Sequence, residues 1–153
     1  TRIKRGIYYN LISDNFDKIN LNNKIMKKNN SFLLITFYIT NFLLIILYLY
    51  PGSIVGYLLY QDLNLQPQIT KNFIISSNHF YTFIFVSALG MFSYKERKKK
   101  IYLLIYLICL SIILEIMHLI IPQRSFQISD LFGNLFGVLV VILFFKFWNK
   151  NEF

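Results

Sequence analysis

The two histidines of the chain, His79 and His118, and one glutamate, Glu115, lie in long stretches that otherwise carry no charged side chain. Carboxylate and imidazole exchange protons, hold polar ligands and bind metals, and inside an apolar stretch each of those uses needs a partner. Glu115 and His118 are three residues apart, which puts them on one face of a helix, and Ser111, four residues earlier, shares that face. Downstream come Arg124, Asp130 and Asn134. An arginine grips anionic groups, an aspartate accepts hydrogen bonds, and an asparagine bonds between helices. Glu115 and His79 are therefore the candidate acid and base of a hydrolase or transferase. His79, Glu115, His118, Arg124, Asp130 and Asn134 form the candidate ligand-binding set.

Each residue also has a plainer use. His79 and His118 can hydrogen-bond at an interface, Asp130 can cap the helix that follows it, and the whole set can tie helices together. A metal centre is not expected. Glu115-Ile116-Met117-His118 has the spacing of half a di-iron site, but such a site needs a second copy and more glutamates. Glu96 and Glu152 fall at the wrong end of the chain's apolar segments to supply them. His79, Glu115 and His118 around one ion is geometrically feasible, yet no group is evident behind them to orient it. No cofactor is expected either: GxSxG, Walker, GxGxxG and HExxH motifs are all missing.

The elements that must carry these residues are apolar helices. Of the 153 residues, 56% are hydrophobic and only 15% charged, against about 25% charged in a soluble domain. The apolar residues gather into four blocks, 32–50, 73–94, 101–121 and 131–148, each long enough or nearly so to cross a hydrocarbon core of about 30 Å. The sequence thus predicts an all-α integral membrane four-helix bundle, preceded by a basic cytoplasmic segment over residues 1–30. In that segment Ile7, Leu11, Phe16 and Ile19 fall near helical spacing, as an interfacial helix or a loosely ordered leader.

Charge sets the orientation. Fourteen lysines and arginines precede the first block, join the second to the third, or close the fourth; only Lys71 and Arg124 lie in the other two loops. The positive-inside rule places both termini and the 94–100 loop in the cytoplasm. The net charge of +9 is then a topology signal with lipid headgroups as partners, and no nucleic acid is expected. Counted along these spans, His79 and Glu115 each lie about 9 Å in from the outer face. Polar groups of three helices and one loop converge on the outer leaflet. The single cysteine, Cys109, excludes a disulfide framework and a cysteine zinc site.

The same residues resemble the VanZ-like family. Asn78-His79-Phe80 with Phe83 and Leu89-Gly90 is similar to its first motif. Glu115-Ile116-Met117-His118 with Ile121-Pro122-Gln123-Arg124-Ser125 is similar to its second, and Ser129-Asp130 through Asn134 to Gly137 to its third. The chain departs from the pattern at His118, where the family usually has glutamine, and at Ile75-Ser76, where it tends to have an Asp-Lys pair. The resemblance implies a small multi-pass protein of the bacterial inner (cytoplasmic) membrane. Its family is named for a member linked to teicoplanin resistance. The implied partners are membrane lipids and a lipid-linked cell-wall precursor or glycopeptide reaching the outer leaflet.

Overall fold

A computed structural model describes Leu21, residues 30–70 and residues 74–148, so the expectation for Ile7–Ile19 lies outside the described residues. Among the described residues there are five helices and no strand: α1 (Asn30–Leu49), α2 (Ile54–Tyr60), α3 (Ser77–Ser93), α4 (Arg97–Met117) and α5 (Ile128–Trp148). Three of them, α1, α4 and α5, are long and apolar enough to cross a membrane. Their outward faces expose Phe32, Phe42, Tyr102, Ile113, Leu139 and Phe144. A water-soluble monomer rarely leaves so continuous an apolar surface uncovered, and these helices are those of a membrane protein.

The helices differ from the four apolar blocks at their ends, for local reasons. The second block begins at 73, but α3 starts only at Ser77. Ser77 and Asn78 hold the preceding loop instead of following a helix. Ser77 Oγ accepts from the Thr70 N–H (3.0 Å) and donates to Gln68 Oε1 (3.1 Å). Asn78 Oδ1 accepts from the Ile69 N–H (2.8 Å), and its amide donates to the Pro67 carbonyl. Such side chains compete with helix formation and favour a helix start. The third block is displaced the other way: α4 runs from Arg97 to Met117 rather than from 101 to 121. After Met117 the chain tightens into i→i+3 bonds, Leu119 N–H to Ile116 O and Ile120 N–H to Met117 O, and Pro122 prevents the helix from resuming.

Arg97–Lys100, expected in a loop, therefore form the first turn of α4. Lys100 is buried, its Nζ 5.9 Å from the centre of the Phe145 ring, so this lysine packs within the protein instead of merely marking the membrane surface. At the other end α5 begins at Ile128, three residues before the expected start. The loop after α1 contains α2, capped by Ser53 Oγ on the Gly56 N–H (2.9 Å).

The core is Phe37 and Leu44 of α1, Phe83, Val86 and Met91 of α3, Leu103, Leu107 and Leu114 of α4, and Val138, Val141 and Phe145 of α5. The closest approach is between α3 and α5. A Cβ on Gly137 would meet the Phe80 carbonyl oxygen at 2.6 Å, and one on Gly133 would meet the Ser76 carbonyl oxygen at 2.8 Å. The Gly133-x-x-x-Gly137 spacing is thus a packing surface, and it brings the first turn of α5 against the first turn of α3.

Candidate functional site

Those two first turns carry His79 and Asp130, and the last turns of α1 and α4 bring Tyr48 and Glu115 to the same end of the molecule. His79 is buried in the first turn of α3. Its Nδ1 lies 3.1 Å from Asn134 Oδ1 and 3.0 Å from the Tyr48 hydroxyl. The Tyr48 hydroxyl donates to the same Asn134 Oδ1 at 2.9 Å. On its other side, His79 Nε2 stands 3.3 Å from Asp130 Oδ2 and 3.4 Å from the Gln66 amide nitrogen. Asp130 Oδ1 accepts from Ser129 Oγ at 3.2 Å.

Glu115 is wholly buried one turn away. Its Oε1 accepts from the Gln127 N–H at 2.9 Å, which ties α4 to the start of α5. Its Oε2 makes no hydrogen bond and stands 3.4 Å from His118 Nδ1. His118 Nε2 lies 3.1 Å from the Tyr48 carbonyl oxygen, an acceptor only, so Nε2 carries a hydrogen. The His118 ring stacks on the Tyr48 ring, centres 5.9 Å apart and planes 21° apart.

Five of the six ligand-binding candidates, His79, Glu115, His118, Asp130 and Asn134, are thus brought together and buried. Arg124 stands at the rim and does something the sequence reading did not foresee. Its Nε donates to the Tyr50 carbonyl (3.3 Å) and its Nη2 to the Leu47 carbonyl (3.1 Å), so it caps the C-terminal end of α1. Burial lowers its pKa from the ordinary value, with Asp130 and Glu115 pulling the other way; it stays cationic.

One further reading is corrected, and two residues are placed more closely. Asp130 is not the cap before α5 but the third residue inside it, its own N–H bonded to the Gln127 carbonyl, which leaves its carboxylate free to face His79. His79 faces Asp130 directly at 3.3 Å, with a Glu115 oxygen within 4.8 Å of the pair. Ser111 turns back onto its own helix, donating to the Ile108 carbonyl at 2.8 Å, and stays out of the site. The residues the sequence did not single out are Tyr48, Gln66 and the Gln127 N–H. Tyr48 is one of eleven tyrosines, and only its place at the outer end of the first apolar block hints at the level of His79.

Two cavities border the cluster. One, about 530 Å³, is walled by Leu44, Leu47, Ile54 and Leu59, with Tyr48, His79, His118 and Arg124 also in its lining. The other, about 110 Å³, is lined by Asn64, Gln66, Gln123, Arg124, Gln127 and Asp130. His79, Glu115 and Asp130, all buried, each offer one metal-ligating atom within 4.8 Å of the others, so Asp130 takes the place in this trio that the spacing of Glu115 and His118 had suggested for His118. The chain matches no family model, no curated protein and no solved structure.

Proposed function

We propose that the chain is a VanZ-like membrane protein of the bacterial cell envelope that binds an amphiphile, a lipid or lipid-linked wall precursor or a lipoglycopeptide, from the outer leaflet. In this reading α1, α3, α4 and α5 are the four spans, with both ends of the chain in the cytoplasm. The asymmetry of lysine and arginine supports that orientation. α3, about 26 Å long at helical rise, reaches the required span with the loop held against its first turn.

The observation that carries the binding reading is the large cavity: a mostly apolar space of about 530 Å³ whose lining also includes buried His79, Tyr48 and His118, together with Arg124. This is the chemistry an acyl or prenyl chain with a polar head would occupy, mostly apolar walls with a small set of polar groups among them. Arg124 keeps a cationic group at the rim while its Nε and Nη2 serve α1. The test is native mass spectrometry of the full chain purified in mild detergent, beside Thr82→Trp, which fills the cavity from α3. An amphiphile carried by the wild type and lost from the folded variant is expected. Identical bound lipids in both would sink the reading.

A second reading, an intramembrane hydrolase or transferase, is favoured by the placement of His79 between Asp130 and Asn134. An acceptor on one ring nitrogen, here Asn134 Oδ1 at Nδ1, orients the imidazole and leaves Nε2, beside Asp130, as its basic nitrogen. Chemical conversion of the co-purified amphiphile by the wild type, but not by His79→Gln, would select it.

A further inference from the structure

We infer that His79, Glu115 and Asp130 bind a divalent first-row transition ion. This is independent of the amphiphile reading, because metal and amphiphile are detected separately and either can fail alone. The argument begins with the tautomer of His79. Asn134 Oδ1, 3.1 Å from Nδ1, can only accept, and it already accepts from Tyr48, so Nδ1 carries the ring hydrogen. The other nitrogen, Nε2, then presents a lone pair. The Gln66 amide nitrogen, a donor, stands 3.4 Å from Nε2, as suits a lone pair there. Yet the same lone pair faces Asp130 Oδ2 at 3.3 Å. A lone pair and a carboxylate repel unless a positive centre lies between them.

The separation is also that of two ligands on one ion. A charge-assisted N–H···O bond closes to about 2.7–2.9 Å. Two ligands of a tetrahedral ion with bonds of about 2.0–2.2 Å stand about 3.4 Å apart. The His79–Asp130 separation of 3.3 Å matches the second figure. Glu115 brings a second buried carboxylate within reach, and its Oε2 has no hydrogen bond. His118 Nδ1, 3.4 Å from Glu115 Oε2, can offset one of the two buried carboxylates at most, and Arg124 directs Nε and Nη2 to the α1 carbonyls, so a cation beside His79 lowers the cost of burying both.

The groups behind the ligands are those a metal site requires. Asn134 and Tyr48 fix the His79 ring, the Gln127 N–H fixes Glu115, and Ser129 fixes Asp130. One imidazole and two carboxylates suit Zn²⁺ or Mn²⁺ and leave at least one coordination position open. His79 lines the large cavity and Asp130 the small one, so both cavities reach the ligand set.

The test uses the full chain in detergent, stripped with a chelator and titrated with Co²⁺ and then Zn²⁺. Cobalt d–d absorption reports coordination, elemental analysis reports stoichiometry, and the thermal midpoint reports stabilisation. One ion per chain is expected, with a metal-dependent rise in the midpoint. Binding should be abolished in His79→Ala and in the isosteric Asp130→Asn, and weakened about 10–100-fold in Asn134→Leu. Ser111→Ala should bind as the wild type does. The rise in midpoint reads the unmodified chain, and Asp130→Asn carries the comparison where the alanine variant does not fold. Folded wild type that leaves Co²⁺ with its aqueous spectrum overturns the inference and leaves His79 bridged to Asp130 by a proton. Equal binding by folded Asp130→Asn also overturns it.

Discussion

Tyr48 does more to assemble the site than any residue whose chemistry is evident from its type. Its hydroxyl reaches Asn134 of α5 and His79 of α3, its carbonyl faces His118, and its ring stacks on the same histidine. Removing the hydroxyl leaves Asn134 Oδ1 and the His79 ring without a shared partner in a buried setting. Tyr48→Phe is therefore expected to destabilise the folded protein by about 1–3 kcal/mol, measured by unfolding in mixed detergent micelles. A loss below the error of that measurement would mean that Asn134 and His79 hold each other without it. His79, Glu115, His118, Asp130 and Asn134 were legible in the sequence because ionisable and amide groups are expensive inside apolar helices and have to converge. Tyr48 was not, because a tyrosine in an apolar helix carries no such penalty signal.

At the scale of the elements, the site depends on how closely α5 lies on α3. Gly133 and Gly137 let the two backbones meet, and the first turns of both helices then hold Asp130 against His79. Gly137→Ala would place a methyl carbon 2.6 Å from the Phe80 carbonyl, a backbone atom with little freedom to retreat. The expected outcome is a loss of about 1–3 kcal/mol in the same unfolding measurement, the usual cost of overpacking. Wild-type stability would show that the helices can part without cost. The helix ends explain the misplaced boundaries. Apolar composition marks where a chain segment is comfortable in lipid, but Ser77 and Asn78 begin α3 by binding the loop, and the turn before Pro122 ends α4 early.

For the whole molecule, the orientation is the property most open to a direct check. With Cys109 replaced by serine, a cysteine at Lys98 is expected to resist a membrane-impermeant thiol reagent in intact cells. One at Gln123, in the exposed loop between α4 and α5, is expected to react. The reverse labelling would place the cavity and the buried cluster at the cytoplasmic face and remove the outer-leaflet reading. The burial of Lys100 beside Phe145 does not alter this expectation, since Lys95, Lys98 and Lys99 remain exposed at the same end.

The amino-acid sequence by itself determined the helical class, the apolar segments and the polar residues that have to meet, because each is a matter of composition and of spacing at 1.5 Å per residue. Only the tertiary structure decided which of those residues face which. His79 meets Asp130 directly, with Glu115 beside the pair, and Arg124 turns to the end of α1. The physical reason is that partner choice depends on where helices begin, and on how close Gly133 and Gly137 let them come. Both are fixed by hydrogen bonds and steric contacts between segments far apart in the chain.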